Sequence, residues 1–232
     1  SMVKNLETFN SQGYIHLKNV IPPNLLKISQ VETLHMKNHL VKKGVIGLQR
    51  YDAGTGQWWG GIEMASSLNS RLLKCYTDNF MYDLSSYYLN TQNVFLFNDQ
   101  VVVKLPNEEF QFNEHFDNQY GPDLHESRNG IYKTINFSWI LDDFTDESGT
   151  LELCNTSNGE WEKLYPKTGD IIAIEGNTLH RSSENTSNKP RRLYACVYST
   201  KNIGDYHRNP EHELPNFVGF HTQNFNKNLT IS

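Results

Sequence analysis

The chain is poor in cysteine. Cys75, Cys154 and Cys196 are the 3 present in 232 residues, far apart and without a CxxC pair. That count excludes a disulfide framework and a thiolate zinc site, and it fits a reducing setting. Long apolar runs are missing too. No stretch approaches the roughly 20 residues that span a bilayer. The opening Ser1-Met2-Val3-Lys4 lacks the apolar core of a secretory signal, so a cytoplasmic location is the expectation. Positive charge is in short supply: 21 Lys and Arg face 26 Asp and Glu, for a net charge of -5 and a pI near 6.0. No basic field exists to hold nucleic acid or an anionic membrane non-specifically. Repeats, low-complexity tracts and an internal linker are also absent. One domain over 1–232 is expected, because mainly β folds often exceed 200 residues as one unit.

What is present changes character along the chain. Leu6 to Gln12 reads as a short helix stopped by Gly13, and Tyr14 to Leu17 alternates like a strand. Pro22-Pro23 opens a second helix with apolar residues at Leu26, Ile28, Val31, Leu34 and Leu40. Gly44 to Met64 is rich in Gly and Trp and reads as a long loop, a kind of segment that is often functional. Leu72 to Leu89 predicts a third helix. From about Val94 the runs are β-rich: Val94 to Phe97, Val101 to Val103, Phe110 to Phe116, Ile131 to Leu141, Thr150 to Leu153, Asp170 to Glu175 and Arg191 to Ser199. Turn residues separate them, including Asn98-Asp99. Helices over about 5–90, a β core over about 94–200 and a polar tail predict a mainly β fold with flanking helices. The tail after Lys201 reads as a surface extension or a lid.

His115-Phe116-Asp117 is the first element with chemistry in it. Alternate residues of a strand share a face, so His115 and Asp117 point the same way. An imidazole beside a carboxylate is two thirds of the facial triad that holds iron(II) with open positions left over. Further on, Gly169 to Ile174 is a turn and an apolar strand leading to His180, and Arg191-Arg192 opens another strand. A His and an Arg at different depths of one pocket suit a 2-oxo diacid, whose distal carboxylate wants a planar cation. In that last strand Arg191, Leu193, Ala195 and Val197 form a small apolar face, as a barrel interior would. Arg191 is therefore the better candidate, and Arg192 is expected to face out.

These segments together resemble the phytanoyl-CoA dioxygenase family of iron(II)/2-oxoglutarate oxygenases. The resemblance runs through Phe9 to Tyr14 (FxxxGY), Lys104-Leu105-Pro106, and His115-Phe116-Asp117 with Tyr120. It continues through Trp139 to Asp143 with Glu147 to Leu151, and then Gly169-Asp170, His180 and Arg191. It implies a double-stranded β-helix (jelly roll, cupin-like), with iron(II), 2-oxoglutarate and O2 as cofactor and cosubstrates. It implies His115, Asp117 and His180 as metal ligands and Arg191 as the cosubstrate anchor. Trp139 and Tyr120 would line the cosubstrate site, and Ser182 would add a hydrogen bond or cap a turn.

The implied reaction hydroxylates a C–H bond of a small molecule, releasing succinate and CO2. Relatives that halogenate replace the carboxylate ligand, and Asp117 is kept here. Desaturation or ring closure at the same site, a catalytically silent binding protein and a zinc hydrolase are the alternatives, the last leaving Arg191 unexplained. Asn113, Glu114, Arg181, Tyr51 and Trp58-Trp59 are candidate substrate contacts, and an inward Arg181 would suggest an anionic substrate. Two departures stand out. Cys154 to Asn158 replaces the family's Pro-Gly-Ser-His, and the polar segment from Asn118 to Lys133 is long enough to form a flap.

Overall fold

The computed structural model describes residues 5–43, 50–52, 57–59, 61–106, 108, 111–203 and 216–218. Helix α1 (Leu6–Gln12) starts where the Asn5 side chain accepts from the Thr8 amide at 3.0 Å. It ends at Gly13, whose φ of +87° favours glycine. A Cβ there would also lie 2.2 Å from Thr178 Oγ1. Strand β1 (Tyr14–Leu17) and helix α2 (Pro23–Lys43) follow as expected. The single third helix predicted over 72–89 is instead α3 (Ser70–Tyr76) and α4 (Asn79–Leu89). The break falls at Asp78, whose carboxylate caps the Phe80 amide at 2.9 Å.

The loop expected over 44–64 contains described strands: β2 (Arg50–Asp52) pairs with β3 (Gln57–Trp59), and β4 (Gly61–Glu63) joins the main sheet. The Asn98-Asp99 turn is absent. Both residues lie inside one long strand, β5 (Phe95–Lys104), opposite Val197 and Cys196. Asp99 is tolerated there because Ser66 N, Ser66 Oγ and Tyr194 OH all donate to its buried carboxylate. The remaining strands are β6 (Phe112–His115), β7 (Thr134–Ile140), β8 (Leu151–Cys154), β9 (Trp161–Lys163), β10 (Ile171–Glu175), β11 (His180–Ser182) and β12 (Arg191–Ser199), with a short helix α5 (Leu124–Arg128) between β6 and β7.

Beside the separate β2-β3 pair, the described strands form two larger antiparallel sheets. The larger has the order β1-β10-β7-β12-β5-β4 and the smaller β6-β11-β8-β9. Side chains from both, including Val102, Ile172, Leu193 and Ala195 of the larger and Leu151 and Leu153 of the smaller, form one apolar cluster between them. The opposite face of the larger sheet carries Phe137, Trp139, Tyr194 and Tyr198 into a second core under the helices. This is the expected mainly β architecture with flanking helices. The described part of the tail is no lid over the open end: Phe217 is buried in the helix-side core and stacks on Tyr198 at 5.5 Å.

Candidate metal and cosubstrate site

Strand β11 sits between β6 and β8 and places His180 opposite His115. Strand β6 ends at His115, and Asp117 opens the tight turn Asp117–Tyr120. The carboxylate nevertheless comes back to the imidazoles: Asp117 Oδ1 is 3.4 Å from His180 Nε2 and 3.7 Å from His115 Nε2. One ligand atom from each of the three lies within 4.8 Å of the others. His115 Nδ1 donates to the Asn113 carbonyl at 2.6 Å and His180 Nδ1 to the Thr178 carbonyl at 3.0 Å. A carbonyl only accepts, so both rings carry a proton on Nδ1, which leaves Nε2 as the atom that can face a metal. Thr178 is itself fixed by its hydroxyl on the Gly13 carbonyl at 2.9 Å, which ties the end of α1 to the backbone that orients His180. Burial alone would push the Asp117 carboxyl up, but the two imidazoles and Asn136 outweigh it and hold the group well below the usual range. Two imidazoles able to present a lone pair at Nε2 and a carboxylate are a donor set for a divalent metal with positions to spare.

The trio opens into a cavity between the sheets. Arg191 lies at its far end, 1% exposed. Its Nη1 donates to the Gly149 carbonyl at 2.6 Å, its guanidinium lies 4.3 Å from the Phe144 ring, and its buried Nε has no partner among the described residues. Burial draws it down to about 9, still cationic at neutral pH. Lys104, across the β5–β12 pair from Arg191, is equally buried and donates to Ser182 Oγ at 2.7 Å and to the Ser183 carbonyl. Burial and the charge of Arg191 both pull its pKa well down. A buried guanidinium with a spare donor, beside a buried lysine, favours an anion. This end therefore fits the distal carboxylate of a diacid whose other end reaches the metal.

The neighbouring motifs support this geometry. Asp142 takes Arg192 through Nε at 2.9 Å and Nη2 at 2.7 Å, on the helix side of the strand. Arg191 is thereby left facing inward. Gly149, at φ +80°, has no room for a Cβ, which would sit 2.1 Å from the Ser183 carbonyl. Asp170 accepts from Asn19 N, Lys167 N and His16 Nε2 and joins β1 to β10.

Other expectations fare differently. Ser182 faces the cavity and receives Lys104. Trp139 does not line the site. Asn136 and Ser138 take the inward positions of β7, so parity turns Trp139 under the helices, against Phe80 and Tyr194. Arg181 borders the cavity, but its guanidinium lies over Trp161 at 3.9 Å and beside Glu152 and Glu114 on the outer face of the smaller sheet. The anionic-substrate expectation loses its basis. The Asn113 side chain bonds Gln111 at 3.1 Å, and only its carbonyl serves the site. The side chains of Tyr120, Tyr51, Trp58 and Trp59 lie outside the described residues.

The Asn118–Lys133 segment is pinned rather than free. Asn177 Nδ2 donates to Ser127 O at 3.2 Å, and Lys201 pairs with Glu126 at 2.9 Å. The Cys154–Asn158 loop docks on the end of α1 through Thr156, whose amide and hydroxyl reach Gln12 O and Ser11 O. Residue type alone singles out neither Asn136 and Ser138 for the cavity nor Lys104 for its contact with Ser182. Lys104 stood in a recognised segment, and the inward parity of β7 was the available signal for the other two.

Several solved structures share this fold. The α-ketoglutarate-dependent carbocyclase SnoK of nogalamycin biosynthesis is 16% identical, with a TM-score of 0.70, covering 86% of this chain and 85% of that one. The epimerase SnoN of the same biosynthesis is 15% identical (TM-score 0.67; 96% and 95% covered). EctD from S. alaskensis with 2-oxoglutarate and 5-hydroxyectoine is 16% identical (TM-score 0.68; 83% and 74% covered). The fold is thus the cupin-like double-stranded β-helix of 2-oxoglutarate-dependent enzymes. Residues 9–193 match the family model of phytanoyl-CoA dioxygenase, and the chain belongs to that family. Among curated proteins no sequence matches significantly. Iron and 2-oxoglutarate are held by structures in this fold group, and the donor set here fits both. Among the described residues no helix is long and apolar enough to cross a membrane.

Proposed function

We propose that this protein is an iron(II)- and 2-oxoglutarate-dependent oxygenase that hydroxylates a C–H bond of a small molecule. The observation that carries the reading is the pairing, in one cavity, of the His115, Asp117, His180 donor set with the buried, incompletely bonded Arg191. His115 Nε2, His180 Nε2 and Asp117 Oδ1 would hold the metal. Arg191, with Lys104 and Ser182, would hold the distal carboxylate of the cosubstrate. With dioxygen, the bound metal and cosubstrate supply an oxidant strong enough for an unactivated C–H bond, leaving succinate and CO2. The protein's own work is orientation and exclusion of water. Leu193, Val102, Leu151 and Phe112 line the same cavity as the anchor and the metal trio, and apolar walls of this kind strengthen charge contacts made beside them.

Hydroxylation is favoured over halogenation because Asp117 occupies the position a halide would need. Turnover of 2-oxoglutarate to succinate by the anaerobically iron-loaded protein, screened over small molecules, tests the class. Product mass under labelled dioxygen tests the outcome. Gain of one labelled oxygen supports hydroxylation. Loss of two hydrogens overturns it in favour of desaturation or ring closure. Absence of succinate with every substrate, in the presence of a bound metal, favours a silent binding protein.

A further inference from the structure

The second oxygen of Asp117 is not idle. Asn136 Nδ2, from the larger sheet, donates to Asp117 Oδ2 at 3.1 Å, and Ser138 Oγ donates to Asn136 Oδ1 at 2.9 Å. Asn136 is 9% and Ser138 4% exposed. The orientation of the amide follows from chemistry. An ionised carboxylate only accepts, so the NH2 must face Asp117 and the amide oxygen must face the hydroxyl. Asp117 is thus gripped at Oδ2 from one sheet while Oδ1 turns to the two imidazoles carried by the other. It follows His115 at the end of β6, in a tight turn rather than a strand, so no strand pairing fixes its side chain.

We infer that Asn136 is a positioning residue that selects a single oxygen of Asp117 as the metal ligand, and that Ser138 keeps the amide turned for this task. The inference rests on the metal reading above. It adds that the third ligand is aimed from the opposite sheet, so the site is completed only when the two sheets are in register. A carboxylate restrained at one oxygen takes up one coordination position rather than two, leaving the remainder for cosubstrate and oxygen. Hydrogen-bond partners of this kind commonly change metal affinity by about 10–100-fold when removed.

The test needs no substrate. Metal-free protein is titrated with manganese(II) by calorimetry, and its cobalt(II) form is followed by visible absorption, whose band intensities report coordination number. Asn136→Ala should bind manganese about 10–100-fold more weakly and change the cobalt spectrum, while the melting temperature of the metal-free protein stays near wild type. Ser138→Ala, which frees the amide to turn, should weaken binding by a smaller factor of roughly 3–10 on the same grounds. If Asn136→Ala keeps wild-type affinity within about twofold and an unchanged cobalt spectrum, the inference is overturned. If Asn136→Ala does not fold, Ser138→Ala decides in the same way: unchanged affinity and spectrum overturn it. A wild-type protein that binds no manganese, or binds it without dependence on Asp117, would remove the metal reading itself, a result distinct from a neutral Asn136→Ala.

Discussion

The two faces of the larger sheet are built from the same strands and do opposite things. In β12 the residues at 191, 193 and 195 face the smaller sheet, and those at 194, 196 and 198 face the helices. The inner face is sparing in aromatics and contains Arg191, Asn136 and Ser138 around a cavity. The outer face is close-packed with Phe137, Trp139, Tyr194 and Tyr198. A step of one residue along a strand therefore separates chemistry from support. Substitutions on the inner face should change binding and turnover, whereas those on the outer face should change stability.

The sharpest division should come from Asp117→Ala. It removes one of the three proposed metal ligands, so 2-oxoglutarate turnover is expected to fall by roughly 1000-fold or more, equivalent to several kcal/mol of lost stabilisation. Its melting temperature should stay close to that of the metal-free wild type. Trp139→Ala is the mirror image. Emptying a fully buried indole site should cost about 3–5 kcal/mol in denaturant unfolding. The milder Trp139→Phe should leave the KM for 2-oxoglutarate unchanged, and a large rise in that KM would break the division between faces. Arg191→Ala should raise the cosubstrate KM by roughly 100-fold, near 3 kcal/mol for a charged, multiply bonded contact. Lysine at 191 should rescue it poorly, because a point charge cannot reproduce the guanidinium fork.

The smallest expected effect concerns a charge on the wrong face. Asp99 is buried among the outer-face side chains, where desolvation raises its carboxyl from 3.8 to about 6 despite the hydrogen bonds from Tyr194 and Ser66. The folded state then holds the proton more tightly than the unfolded chain. The associated stability is fully present below pH 4 and is lost as pH rises through about 6. Between pH 5 and 7.5 this amounts to roughly 1–1.5 kcal/mol by linkage. Unfolding of wild type and Asp99→Asn at those two pH values checks it: wild type should lose that much relative to the variant on going up in pH, and parallel curves would reject it.

Much of this was legible in the residues. Strand parity alone turned Arg191 inward, and the ordered motifs foretold the fold and brought His115, Asp117 and His180 together. The same parity, applied to β7, points Asn136 and Ser138 inward and Trp139 outward. Resemblance suggested the opposite for Trp139, and the local geometry prevailed. Arg181 could not be placed from its neighbours in sequence, because its partner Trp161 lies in a three-residue strand too short to leave a pattern. Asn98-Asp99 reads as a turn by residue type. Only donors brought from elsewhere, Ser66 and Tyr194, make an acidic residue tolerable in a buried strand.

Both imidazoles are held at Nδ1 by peptide carbonyls, those of residues 113 and 178. A peptide carbonyl survives every amino-acid replacement at its position. The genetic code can therefore rewrite Asn113 freely, and Thr178 wherever its hydroxyl is dispensable, without unsetting the tautomer of either ring. The part of the metal centre most sensitive to orientation is thus insulated from drift. The Asp117 arm, which leans on the replaceable amide of Asn136, is where mutation can retune it.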